Sequence, residues 1–161
     1  MFPLLYLPER TIIVPESPIL VSEVNDELLR FLARNPDYLR SIEPRMFEEV
    51  VAEIFRRKGF EVRVTQKTRD GGLDIYAIKH EIVGTMYFVI ECKRYAESRK
   101  VGIELVQRLN GVIDPNQGHR GVLVTTSSFT SDAVKFAKPL EHRLSLRDYE
   151  DLKQWLVEYL N

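Results

Sequence analysis

Residues 86–95, MYFVIECKRY, form an apolar, strand-like run that ends on Glu91, Cys92, Lys93 and Arg94 without a turn signal. Side chains alternate faces along a strand, so Glu91 and Lys93 share one side, with Cα atoms about 7 Å apart, while Phe88, Ile90 and Cys92 point to the core. The preceding strand-like run, LDIYAI, carries Asp74 beside an apolar face of Leu73, Ile75 and Ala77. Pairing through the hairpin KHEIVG would set the start of that strand beside the end of the next, bringing Asp74 to Glu91 and Lys93. Two converging carboxylates repel unless a cation lies between them, and an oxygen-only donor set suits magnesium or manganese better than zinc. Such an ion would polarise a phosphoryl oxygen and lower the pKa of a bound water, with Lys93 orienting the water or stabilising developing charge. The chemistry indicated is phosphodiester hydrolysis.

These residues need rigid elements to hold them. Pro44 at a helix start and Gly59 just past the end bracket RMFEEVVAEIFRRK. On a helical wheel Phe47, Val50, Val51, Ile54 and Phe55 share one arc, Glu48 lies about 90° from its centre and Glu49 about 170° away. Glu48 is therefore expected to reach a site at the edge of the core, and Glu49 to be solvated. Three strands follow, FEVRVTQ, LDIYAI and TMYFVIECKRY, separated by the turns RDGG and KHEIVG, where Asp70 reads as a turn former. KVGIELVQRLNGVI and TSDAVKFAK read as helices around the short buried strand RGVLVTT. A further strand, RLSL, precedes the closing helix RDYEDLKQWLVEYLN, whose Leu152, Trp155, Leu156, Tyr159 and Leu160 recur at helical spacing. Upstream, Ser22 is expected to cap a first helix in EVNDELLRFLARN, and residues 1–20, with four of the eight prolines around TIIV, read as an extended arm or edge strand. The order of helices and strands implies an α/β sandwich with a central mixed β-sheet flanked by helices.

A length of 161 residues accommodates one domain with an attached arm. With 23 basic and 24 acidic residues the chain lacks a general basic field, so a nucleic-acid role requires a local patch. Lys67, Arg69, Arg94, Arg99 and Lys100 flank the predicted site from three loops and could track phosphates. The hydroxyls of Thr125 to Ser128 could contact phosphates or cap the next helix, and His119 and Arg120 read as loop residues. One cysteine excludes an internal disulfide, and three dispersed histidines exclude a zinc motif. No apolar run approaches the ~20 residues of a membrane span, and Pro3 and Pro8 interrupt an apolar start that has no basic region. A cytoplasmic protein without a nucleotide cofactor is expected.

In sequence order, Glu48, Asp74 after DGG, and Glu91-Cys92-Lys93 resemble the PD-(D/E)xK nuclease superfamily. RMFEEVVAEIFRRKGFEV, RDGGLDI, VIECKRY, LNGVI, GVLVTTSSFTSDAVKFA and LSLRDYEDL are similar to the Mrr-type restriction endonuclease domain over residues 45 to about 152. The resemblance implies a restriction-endonuclease-like core over residues 45–161, preceded by an arm and helix, residues 1–44, of unassigned role. It implies magnesium-dependent DNA cleavage by Asp74, Glu91 and Lys93, with manganese able to substitute, Glu48 as the helix acid, and the Cys92 carbonyl as a further metal ligand. Gln107 matches a glutamine common in the second helix of the family, although on the wheel it lies opposite Val101, Leu105, Leu109 and Val112. Cutting both strands of a duplex needs two sites, so a homodimer is expected. The competing reading is a non-catalytic or structure-selective DNA-binding module of the same fold, one that holds branched DNA such as junctions.

Overall fold

A computed structural model of the chain describes residues 24–66 and 73–160; within these, the side chains of residues 66, 73 and 74 lie outside the description. The arm of residues 1–20, Ser22, and the turn bearing Lys67, Arg69 and Asp70 fall outside it as well.

Helix α1 (Asp26–Arg34) begins three residues later than a Ser22 cap would place it. Asn25 is the cap instead, its side chain accepting a hydrogen bond from the Leu28 amide at 2.9 Å. A 3-10 turn (Pro36–Arg40) leads to α2 (Pro44–Arg57), which has proline in its first turn and stops before Gly59, whose φ of +97° suits glycine. Strands β1 (Glu61–Gln66), β2 (Leu73–Glu81) and β3 (Gly84–Lys93) form the expected antiparallel meander. Helix α3 (Ile103–Val112) crosses to β4 (His119–Thr125), and α4 (Ser131–Ala137) crosses to β5 (Leu144–Arg147). Both crossovers give parallel pairing, so the five-stranded sheet is mixed, in the order β1-β2-β3-β4-β5. The closing helix α5 (Tyr149–Val157) starts on a capping box between Asp148 and Asp151.

The two sheet faces carry separate cores. Ile75, Ala77, Ile90, Val122 and Val124 meet α1, α2 and α5 on one side, with Phe88 and Cys92 packed against them. Leu123, Val89 and Leu146 meet α3 and α4 on the other. A Cβ on Gly121 would stand 2.9 Å from the Leu109 side chain, so the close seating of α3 on β4 depends on that glycine. Trp155 and Tyr159 join Leu152 and Leu156 in the first core as their spacing predicts, whereas α5 ends at Val157 and Leu160 is exposed. In β3 only Ile90 is fully buried. The hairpin carries its tip, Ile82 and Val83, into solvent, so the apolar run is half-covered rather than enclosed.

Candidate active site

Alternation along β3 divides the acid and the base from the cysteine. Cys92 packs with Phe88 and Ile90 toward α2 and α5, while Glu91 and Lys93 follow Val89 onto the face covered by α3 and α4. In the β2-β3 ladder Ile75 pairs with Ile90 and Tyr76 with Val89, and one further step brings the Asp74 backbone opposite Glu91. On its other side Asp74 pairs with Thr65 of β1. In the parallel direction Glu91 pairs with Leu123 and Lys93 with Thr125. The start of β2 and the ends of β1, β3 and β4 thus lie at one end of the sheet.

Two polar groups at this end have incomplete bonding, the Glu91 carboxylate and, just past β3, the Arg94 Nε. The Glu91 Oε2 is buried and has no hydrogen-bond partner among the described residues. Buried oxygens of this kind are costly unless something else engages them. Among the described residues no three His, Cys, Asp or Glu side chains cluster as metal ligands, and the Asp74 side chain lies outside that set.

Glu48 is buried in the first half of α2, which packs on the opposite sheet face from Glu91. Glu49 corrects the helical-wheel expectation: it is 6% exposed and has Arg45 Nε at 3.9 Å. Residues 47–55 of α2 are buried all round, Glu53 included, because α1 and α5 join the sheet in enclosing this helix. Glu53 is held by Arg56 at 2.7 Å and Arg57 at 2.8 Å, and Arg57 also pairs with Asp26 of α1, whose carboxyl is held below its ordinary range by that guanidinium.

The basic residues separate by environment. Lys67 and Arg69 lie outside the described residues. Arg99 is exposed with its guanidinium 3.9 Å from the centre of the Tyr95 ring, and Lys100 is exposed beside it. Arg94 differs from the predicted rim: it is half-buried, its Nη1 donates to the Arg40 carbonyl at 2.6 Å, and its Nε is buried. Gln107 is exposed on α3, on the helix side opposite buried Val106 and Leu109.

Three hydroxyls at and just beyond the end of β4 neither cap a helix nor point outward. Thr125 Oγ1 donates to the Lys93 carbonyl at 2.8 Å, Thr126 Oγ1 donates to the Tyr95 carbonyl at 2.7 Å and accepts from the Tyr95 amide at 2.8 Å, and Ser127 Oγ donates to the Glu97 carbonyl at 3.2 Å. The cap of α4 is Thr130. These hydroxyls clip the chain as it leaves β3, a role that a run of Thr and Ser at a strand end only hints at. His119 is also corrected: it opens β4, is 2% exposed, and its Nδ1 accepts from the Asp114 amide at 3.2 Å.

A mixed sheet with this strand order, and an acid and a base on one face at the end of its central strand, defines a restriction-endonuclease-like core. The chain belongs to the Mrr catalytic-domain family of restriction endonucleases, whose family model matches residues 39–156. It is 30% identical over 153 residues to the uncharacterized protein y4cE of Sinorhizobium fredii, covering 94% of this chain and 39% of that one. It is 30% identical over 125 residues to the type IV methyl-directed restriction enzyme EcoKMrr of Escherichia coli, covering 74% of this chain and 40% of the enzyme. The chain therefore spans about two fifths of the length of these relatives. Among solved structures, the DNA modification-dependent restriction endonuclease AspBHI superposes with a TM-score of 0.59 at 24% identity, covering 89% of this chain and 40% of that one. The restriction endonuclease MspJI, solved in complex with a 27-mer oligonucleotide, superposes with a TM-score of 0.51 at 19% identity, covering 80% of this chain and 30% of that one. Among the described residues no helix is long and apolar enough to cross a membrane.

Proposed function

We propose that the chain is a divalent-metal-dependent endodeoxyribonuclease domain with its site at Asp74, Glu91 and Lys93. The observation that carries this reading is the buried Glu91 Oε2, without a partner among the described residues, on the sheet face of Lys93 and at the end of the sheet where β2 begins with Leu73 and Asp74. An all-oxygen donor set fits magnesium, with manganese as a substitute, and the ligands would be the carboxylates of Asp74 and Glu91, the Cys92 carbonyl, and Glu48. A divalent ion held there supplies polarisation of the scissile phosphate and acidification of a water. Lys93, two residues from Glu91 on the same face, donates its ammonium protons to the attacking water or to a phosphate oxygen, aligning one and neutralising the other. Arg99 and Lys100, exposed on the loop after β3, contact flanking phosphates, and Lys67, Arg69 and, on α3, Gln107 are assigned the same role.

The family membership, a relative that is a methyl-directed restriction enzyme, and a structural neighbour solved with an oligonucleotide support DNA as the substrate. We take residues 45–161 as the nuclease unit, with α1 and the 3-10 turn of the preceding segment packed into its core. A cytoplasmic homodimer, which would bring two sites to one duplex, completes the reading.

The test is a cleavage panel of supercoiled plasmid, methylated DNA and a four-way junction, each with magnesium or manganese. Wild type is expected to cut at least one substrate, and Asp74→Ala and Lys93→Ala to cut none. Intact DNA throughout, or variants that cut as wild type does, would overturn the proposal. DNA binding that needs no metal, falls steeply with salt and survives Asp74→Asn would favour a non-catalytic binding module instead.

A further inference from the structure

Arg40 closes the 3-10 turn before α2, yet its contacts are with the chain that leaves the sheet. Its Nε donates to the Thr126 carbonyl at 3.0 Å, across 86 residues of sequence. Its guanidinium lies 3.6 Å from the centre of the Tyr149 ring, and Nη1 stands 3.5 Å from Asp37 and 3.8 Å from Glu97. The Tyr149 hydroxyl donates to Asp37 at 2.7 Å, and the Tyr149 amide donates to the Ser127 carbonyl at 3.1 Å. The backbone of Arg40 joins the same assembly, its carbonyl accepting from Arg94.

Thr126 is the centre of these contacts. Its amide donates to the Lys93 carbonyl at 3.3 Å, its hydroxyl both donates to and accepts from the Tyr95 backbone, and its carbonyl is held by Arg40. Thr125 adds a second bond to the Lys93 carbonyl. Both threonines are fully buried. The path from the Arg40 guanidinium to the Lys93 backbone therefore passes through one residue, and the Arg40 carbonyl reaches Arg94, the residue after Lys93.

We infer that Arg40 is a positioning residue for the site: stacked on Tyr149 and bonded to Thr126, it holds the threonine clip that fixes the backbone of Lys93 and Tyr95. The inference rests on the nuclease reading above. Arginine suits the task because one planar group stacks with its face while donating through its edge, and lysine cannot do both. A site whose reacting groups must be held to a fraction of an ångström requires such support behind the strand end.

The experiment compares wild type, Arg40→Lys, Thr126→Val, the double variant and Lys93→Ala in the full chain, by steady-state DNA cleavage well below each melting temperature and by amide hydrogen exchange. Arg40→Lys is expected to lower kcat about 10- to 100-fold with KM nearly unchanged, because misplacement of a reacting group costs turnover rather than binding. The exchange of the Tyr95 and Thr126 amides should rise while that of Val122 and Leu123 stays as in wild type. Arg40→Lys and Thr126→Val should be less than additive, since they break one path. Wild-type kcat in Arg40→Lys, full additivity, or unchanged exchange at Tyr95 and Thr126 would overturn the inference while Lys93→Ala remains inactive. If Lys93→Ala cuts as well as wild type, the nuclease reading itself fails, whatever Arg40 does.

Discussion

Replacing Glu91 with glutamine is expected to raise the stability of the metal-free protein while removing its response to metal. Glu91 Oε2 is buried without a partner among the described residues. An unsatisfied buried acceptor costs roughly 1–3 kcal/mol, more if it bears charge. Glutamine keeps the shape and removes the charge but leaves a neutral amide in the same place, so part of that cost remains and a gain of about 1 kcal/mol is expected. For a chain of this size, about 1 kcal/mol corresponds to a rise of roughly 2–4 °C in melting temperature. Magnesium or manganese at a hundred times its dissociation constant should stabilise wild type by ~2.7 kcal/mol. Glu91→Gln should gain little from the same addition. Thermal unfolding of both proteins in chelator and in a metal titration provides the assay, with Glu91→Ala as the control for lost packing. If Glu91→Gln melts several degrees below wild type in chelator, the carboxylate already has a partner, and the argument that it awaits a cation is refuted.

Other outcomes follow from the same geometry. Arg94→Ala should lower stability by about 1–3 kcal/mol in chemical denaturation, because it strips the Arg40 carbonyl of a short hydrogen bond at a half-buried position. Arg99→Ala and Lys100→Ala should leave stability unchanged, weaken DNA binding uniformly across sequences, and each reduce the salt slope of binding by about one. Burial, aided by the hydrogen bond to Asp37, pushes the Tyr149 phenol up to about 12. The fold favours its protonated form, so this stabilisation is whole below the ordinary tyrosine value of 10.0 and is lost as pH climbs toward about 12. Burial pushes Tyr159 up to about 12 as well, so the Tyr149 contribution is read from the difference between wild type and Tyr149→Phe in stability against pH, which should narrow as pH rises over that range.

Much of this architecture is legible in local pattern. Helix α2 announces itself through Pro44 and Gly59, and the two-residue alternation of β3 sends Glu91 and Lys93 one way and Cys92 the other. The short connection at residues 82 and 83 fixes the register that sets the Asp74 backbone opposite Glu91. Where local pattern misleads, a tertiary neighbour has intervened. Glu49 points away from the apolar arc of its own helix, but α1 and α5 enclose that side, and no wheel drawn for one helix can register a second layer. Asn25 displaces Ser22 as the α1 cap because both are good caps and only the packed helix selects between them. Arg94 reads as the start of a basic rim, yet the turn at Pro36–Arg40 folds over it and claims its guanidinium. Arg40 carries no local signal, since its partners Thr126 and Tyr149 are contiguous with it only in space. The strand end on an acid and a base was visible from residue types alone; what braces it was not.

Anomalous diffraction from crystals soaked in manganese tests the central claim most directly. One strong peak is expected at the end of the sheet, between the carboxylates of Asp74 and Glu91 and within coordination distance of the Cys92 carbonyl, absent from Glu91→Gln crystals soaked in the same way. Soaked wild-type crystals with no peak there, and with the Asp74 and Glu91 side chains turned apart, would contradict it.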